Sequence, residues 1–324
     1  MHTRAIPERY QNLKGRIIMK LNEFPNGVFP TMITPYTSDN RIDYKAVEKL
    51  VDWYANAGCT GVFAVCQSSE MFYLSLDERV SLAKASLNAA KKHGMCVVAS
   101  GHISNSVEEQ AKELTAIHNT GVDGVVLVSN RLDLHNDGDD MWISNAEKLL
   151  SLLPDDIRLG IYECPYPYKR LLTPKILEWC KKSGKFYFIK DTCCNPQMLN
   201  ERLEILKGSQ IKLYNANAQT LLMTLKNGAA GYSSVMSNFH ADLYVWLCNN
   251  YSSPKAESLS DLLSVCAFTE VMHYPSTAKY ALSQMGVKMN LFSRSCNEKG
   301  VNEYERNVIN QLLRLSNKAR GEIR

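Results

Sequence analysis

From Gly27 onward the chain alternates two patterns of apolar residues. Short runs rich in β-branched and aromatic residues fall at 28–34, 61–66, 96–101, 124–128, 158–162, 185–190, 211–215 and 231–235. Such runs, bounded by turn residues, predict buried strands. Between them apolar residues recur every three or four positions, the spacing that gathers them on one face of a helix. Ala46, Val47, Leu50, Val51 and Tyr54 form a clear set of this kind, with Asp43 ahead of them as an N-cap. Helices are predicted over 43–57, 76–93, 106–120, 141–153, 196–207 and 218–226, and another opens at Pro174. Proline suits a first helical turn, where its missing N–H leaves nothing unpaired.

Eight strand–helix units over roughly 220 residues fit a closed (β/α)8 barrel of the α/β class, a TIM barrel. An open, doubly wound sheet would want a glycine-rich phosphate loop after its first strand, and the sequence has none there. Helical periodicity continues past the eighth strand, with 277–285 the clearest stretch and Gly286 as its stop. The expected organisation is an N-terminal arm or outer helix over 1–26, a barrel over 27–237 and a helical C-terminal extension over 238–324.

Composition narrows the function classes. The chain has 324 residues, of which 45% are hydrophobic and 22% charged, ordinary values for a globular protein. A net charge of +4 is too small to suggest nucleic acid as a partner. No apolar run is long enough to span a membrane, and the basic, polar N-terminus does not resemble a secretory signal. The ten cysteines are scattered and form no CxxC pair, which points to buried thiols in a reducing cytoplasm. No His and carboxylate cluster has metal-ligand spacing, so neither a metal nor another cofactor is expected.

Barrel chemistry sits at the C-terminal ends of the strands. Those ends carry Gln67, Ser68, Ser69 and Glu70 after strand two, Tyr162 and Glu163 after strand five, Lys190 and Asp191 after strand six, Asn215 and Asn217 after strand seven, and Ser233 in strand eight. Lys190 stands out. A lysine closing a buried strand must find an anion or lose its proton. The bland alternative is a lysine whose tip reaches water. A neutral amine is a nucleophile toward carbonyls, the basis of Schiff-base catalysis.

These stretches, in this order, resemble the dihydrodipicolinate synthase / N-acetylneuraminate lyase family of pyruvate-dependent class I aldolases. The resemblance runs from about Gly27 to Gly286. Gly27 to Pro35 resembles the family's first strand, and Cys66-Gln67-Ser68-Ser69-Glu70 its GTTGE loop. Tyr162-Glu163-Cys164-Pro165 is similar to its Y-N-x-P motif, and Ile189-Lys190-Asp191-Thr192 to its lysine motif. Gly228 to Ser234 resembles its G-x-x-G-x-[IY]-S segment. The resemblance implies that Lys190 forms an imine with pyruvate or a related 2-oxo acid and that Tyr162 moves protons. It implies that Ser68 and Ser69 hold the substrate carboxylate, with Gln67, Ser233, Asn215, Asn217 and Glu163 as further substrate contacts. A dimer or tetramer of identical chains is also implied.

The departures from the family pattern set the open questions. Gln67 replaces the loop's first threonine, and an amide cannot relay a proton as a hydroxyl does. The segment after strand four, residues 129–135, lacks the family's tyrosine. Pro167 stands near the place of the arginine with which the synthase grips a second carboxylate; Lys169 and Arg170 are the nearest cations. Glu163 replaces an asparagine and suggests an acid or base at the barrel mouth. Two readings follow. One is a lyase or aldolase acting on a 2-oxo acid, including a keto-deoxy sugar acid, but not a true dihydrodipicolinate synthase. The other is a family member without turnover that binds a small oxo acid or sugar acid.

Overall fold

A computed structural model describes residues 10–13, 16–19, 23–296 and 300–323. Eight parallel strands form its centre: β1 (Gly27–Val28), β2 (Gly61–Ala64), β3 (Cys96–Ala99), β4 (Gly124–Val128), β5 (Leu159–Tyr162), β6 (Phe186–Asp191), β7 (Lys212–Asn215) and β8 (Gly231–Tyr232). Each strand from β2 to β8 pairs with the next, and β8 pairs with β1. The ring closes between β1 and β2 through a parallel bridge from Thr31 to Phe63. Pro30 has no N–H to give to a ladder, so β1 stops at Val28, the first residue of the predicted 28–34 run. Backbone bonds nonetheless continue past it, from Phe63 N to Pro30 O at 2.9 Å and from Met32 N to Phe63 O at 3.0 Å. At the other seam, a Cβ on Gly231 would fall 1.8 Å from the Gly27 carbonyl oxygen, so only glycine lets β8 approach β1 this closely.

The barrel helices are α1 (Tyr44–Asn56), α2 (Leu76–Lys91), α3 (Val107–His118), α4 (Asp139–Leu150), α5 (Pro174–Ser183), α6 (Pro196–Leu206) and α7 (Ala218–Lys226). Their starts follow the sequence chemistry. Asp43 accepts from Ala46 N, and Ser75 and Glu78 form a reciprocal capping box. The extension comprises α8 (Ser237–Asn249), α9 (Ala256–Cys266), α10 (Ser276–Gln284) and α11 (Glu303–Ile323). In the N-terminal arm, 10–13 and 16–19 pair as an antiparallel hairpin, not a helix.

Side-chain alternation along the strands sets what lies inside. Phe29, Phe63, Phe188 and Tyr214 meet in the barrel interior, with the Phe188 and Tyr214 rings stacked at 4.5 Å and Phe29 edge-on to both. Lys190 is two residues beyond Phe188 and therefore on the same face of β6, one layer higher. Asp191 takes the opposite face. There it meets Arg202 of α6, which is also 2.7 Å from Glu163.

Glu163 thus departs from its expected place at the mouth. It follows the inward-facing Tyr162, so alternation turns it outward, into the layer between β6 and α6. It is fully buried, and its carboxylate accepts from Leu172 N at 2.7 Å and Thr192 N at 2.8 Å. With Arg202 it fastens the segments that follow β5 and β6. Replacing Arg202 with leucine leaves two buried carboxylates without their cation. The expected loss is about 3–5 kcal/mol of stability, read by denaturant unfolding. A change under about 1 kcal/mol would show that this cluster does not hold the site together.

Candidate active site

Tyr162 and Lys190 are direct partners in the β5–β6 register. Parallel neighbours point the same way, so both side chains enter the barrel mouth. The Lys190 amine lies 4.1 Å from the centre of the Tyr162 ring. Tyr162 in turn stands edge-on to Phe63 at 5.8 Å. Lys190 is 4% exposed, and burial pulls its pKa down from 10.5 to about 8. Titratable groups around it, Cys66 and Cys164 most strongly and then Glu270 and Glu163, oppose that shift. No salt bridge to Lys190 occurs among the described residues. Burial acts on Tyr162 in the opposite sense, holding its phenol protonated well above its ordinary range.

The cavity above this pair has a volume of about 740 Å³. Gln67 and Ser68, in the 3-10 turn after β2, form one wall. The Tyr162 hydroxyl donates to Gln67 Oε1 at 3.1 Å, and the Cys164 thiol donates to the same oxygen at 3.4 Å. Gln67 therefore meets the phenol and the thiol as a carbonyl acceptor. Ser68 Oγ donates to Thr31 Oγ1 at 3.1 Å.

The other expected contacts divide. Asn217 reaches the rim, where its Oδ1 also caps α7 through Thr220 N at 3.0 Å. Ser69 does not line the cavity; its hydroxyl donates to Met32 O at 2.6 Å and accepts from Cys66 N. Asn215 follows the inward Tyr214 and so faces outward, donating to Thr220 and Thr224 hydroxyls. Ser233 is fully buried away from the cavity, and its neighbour Ser234 lines the wall instead. Glu163 sits in the outer layer already described. Of the two cations near Pro167, Lys169 borders the cavity while donating to Thr192 O at 2.9 Å. Arg170 is buried elsewhere, paired with Asp133 and Asp139 at 2.8 Å each.

The extension supplies residues that strand-end reasoning did not reach. Glu270 and Tyr274, from the segment joining α9 to α10, line the mouth. That segment is pinned by a buried pair between Lys279 of α10 and Glu70 at 3.8 Å. Glu70 also accepts from Ser293 Oγ and Ser295 N, and its backbone is left-handed at φ 62°. A lysine in the middle of an apolar helical stretch was the one sequence signal that this helix met a buried acid. Among the described residues no group of His, Cys, Asp and Glu could hold a metal ion, and no helix is long and apolar enough to cross a membrane.

Comparison with known proteins agrees with this geometry. The model of the dihydrodipicolinate synthetase family matches residues 24–313. A 4-hydroxy-tetrahydrodipicolinate synthase of Anaplasma marginale (strain St. Maries) is 22% identical over 265 residues, 81% of this chain and 85% of its own. One from Prochlorococcus marinus (strain MIT 9211) is 27% identical over 236 residues, 68% and 72% of the two chains. Among solved structures, the Acinetobacter baumannii dihydrodipicolinate synthase complexed with pyruvate superposes with a TM-score of 0.79 at 19% identity, covering 91% of this chain and 99% of that one. A prophage protein of the dihydrodipicolinic acid synthase family from E. coli K12, in complex with pyruvate, gives 0.79 at 19% identity, covering 91% and 98%. The parallel barrel, the matched span and the relatives agree, and the chain belongs to the dihydrodipicolinate synthetase family.

Proposed function

We propose that this protein is a Schiff-base-forming lyase or aldolase acting on pyruvate or a related 2-oxo acid. The observation that carries the reading is the Lys190 amine, buried against the Tyr162 ring in a cavity open to small molecules. Solved relatives of the same fold are described as complexes with pyruvate. The neutral amine adds to the 2-oxo carbonyl, and one amine proton passes to the new hydroxyl. Tyr162 gives its phenolic proton to that hydroxyl, which leaves as water, and the iminium remains. The phenolate then takes a proton from the adjacent carbon, and the iminium becomes an enamine. In the cleavage direction the iminium instead draws the electrons of the breaking C–C bond, and the phenolate takes the hydroxyl proton of the departing aldehyde. The cationic imine beside Tyr162 stabilises the phenolate that either route requires.

The acceptor end parts from the synthases. With Pro167 in place of the expected arginine and Arg170 committed to two aspartates, no guanidinium fork faces the cavity from this segment. Glu270 on the rim adds an acid close enough to interact with Lys190 and Lys169. An acid repels a second carboxylate and accepts from hydroxyls, which favours a keto-deoxy sugar acid or its aldehyde fragment.

Borohydride treatment with pyruvate should add mass at Lys190 and at no other lysine, as read by peptide mass spectrometry. Lys190→Ala should abolish the adduct, and Tyr162→Phe should slow its formation by about 10²-fold or more while leaving the fold intact. An adduct that survives Lys190→Ala would end the assignment of the imine to Lys190, and no adduct on the unaltered chain would favour the binding-protein alternative. With pyruvate and aspartate semialdehyde, a coupled assay should give kcat/KM well below the ~10⁴ M⁻¹s⁻¹ at the low end of ordinary enzymes. Turnover above that value would show that Lys169 or another group replaces the arginine.

A further inference from the structure

We propose that Tyr274, supplied by the C-terminal extension, is a carboxylate-binding residue of the active site, acting with Ser68 as a wall of neutral hydroxyl donors. The inference rests on the 2-oxo acid reading above and adds a residue outside the barrel to it.

Tyr274 precedes α10 and lines the same cavity as Lys190 and Ser68. Its hydroxyl is oriented by Asn238 of α8. One amide atom of Asn238 meets the Thr31 and Val235 carbonyl oxygens, which identifies it as the nitrogen, and the opposite Oδ1 accepts from the Tyr54 hydroxyl. That Nδ2 donates to the Tyr274 oxygen at 3.1 Å. With its oxygen engaged as an acceptor, Tyr274 has its own O–H free to donate. The hydroxyls beside it are Ser68 and Thr31. Ser68 Oγ gives its proton to Thr31 Oγ1 at 3.1 Å, which leaves its oxygen able to accept from Tyr274. Tyr274 thus stands beside a hydrogen-bonded pair of hydroxyls, Thr31 from the segment after β1 and Ser68 from the loop after β2.

A 2-oxo acid carries its carboxylate on the carbon that Lys190 attacks. Held there, the carboxylate must be met by donors on the cavity wall. Tyr274 offers its O–H there, Ser68 joins it by turning its hydroxyl proton from Thr31 Oγ1 to the carboxylate, and burial keeps the Tyr274 phenol protonated. Donors without charge suit this place, because another cation would disfavour the positive imine. Removing the hydroxyl of Tyr274 leaves its partner Asn238 paired. Asn238 Nδ2 has two other acceptors, Thr31 O at 3.0 Å and Val235 O at 2.9 Å, and only two hydrogens to share among the three.

The test separates the carboxylate contact from the imine. Oxamate has the shape and charge of pyruvate, but its amide carbonyl does not form an imine with lysine; oxamide lacks the charge. By calorimetry on the full chain, Tyr274→Phe should weaken oxamate binding about tenfold or more, the size of one hydrogen bond to a charged group, and leave oxamide within about twofold. Equal oxamate affinity in the two chains, or an equal loss for oxamide, would overturn the inference. Pyruvate trapping at Lys190 is run on the same samples. Trapping with unchanged oxamate affinity overturns this inference alone. No trapping, with oxamate binding that depends on Tyr274, overturns the lyase reading and supports the carboxylate wall. A second measurement needs no loss of the ring. With 3-fluorotyrosine placed at position 274 alone, the 19F resonance should move on adding oxamate and stay still with oxamide; a resonance indifferent to oxamate would overturn the assignment.

Discussion

The site depends on the removal of one amine from water. Lys190 stands a layer above the Phe29, Phe63, Phe188 and Tyr214 rings, and the Tyr162 ring covers it from the side. An ammonium loses much of its hydration in such a place, and among the described residues no carboxylate forms a salt bridge with it. The cost falls on the charged form, so this amine gives up its proton more readily than an exposed lysine does. The rest of the barrel mouth can be read as support for this condition. Arg202, Asp191 and Glu163 fix the ends of β5 and β6 from outside, so that the two inward side chains keep their register.

Strand alternation explains which parts of the site were legible in the sequence. The apolar runs and the helical spacing between them located the eight strands, and Lys190 and Tyr162 followed from strand ends in neighbouring positions. Glu163 and Asn215 were misplaced for one shared reason. Each directly follows an inward-facing aromatic residue, Tyr162 or Tyr214, and so turns outward to α6 or α7. A stricter use of the two-residue period would have moved both out of the cavity. Ser69 needed more, because a 3-10 turn does not follow that period and its hydroxyl turns back to Met32 O. Glu270 and Tyr274 were beyond reach, since no local pattern tells which part of a helical extension crosses a barrel mouth.

That extension is tied to the mouth by chemistry as well as packing. Lys279 is fully buried, paired with Glu70, and lies 4.7 Å from the centre of the Tyr36 ring. Burial lowers its pKa to about 8, as it does for Lys190, but the partners differ. Lys279 also donates to Phe292 O and does not line the cavity, whereas Lys190 faces open space. Two buried lysines in one chain therefore serve different ends: one anchors the extension, and the other is available to react. Gln67 marks a second contrast. Its carbonyl accepts from the Tyr162 hydroxyl and cannot pass a proton onward, so under the proposed lyase chemistry the phenol exchanges its proton with the substrate directly.

The central claim is that Lys190 is a largely desolvated amine that can lose its proton near neutral pH. Competitive acylation of the lysines across pH 6 to 11, with each modified peptide quantified by mass spectrometry, measures this directly. A lowered pKa means that the reactive neutral form grows as pH rises through about 8 and is nearly complete a unit or two above it. Lys190 should therefore reach half of its maximal reactivity near pH 8, while exposed lysines continue to gain up to their ordinary range near ~10.4. A Lys190 that titrates with the exposed lysines would contradict the account.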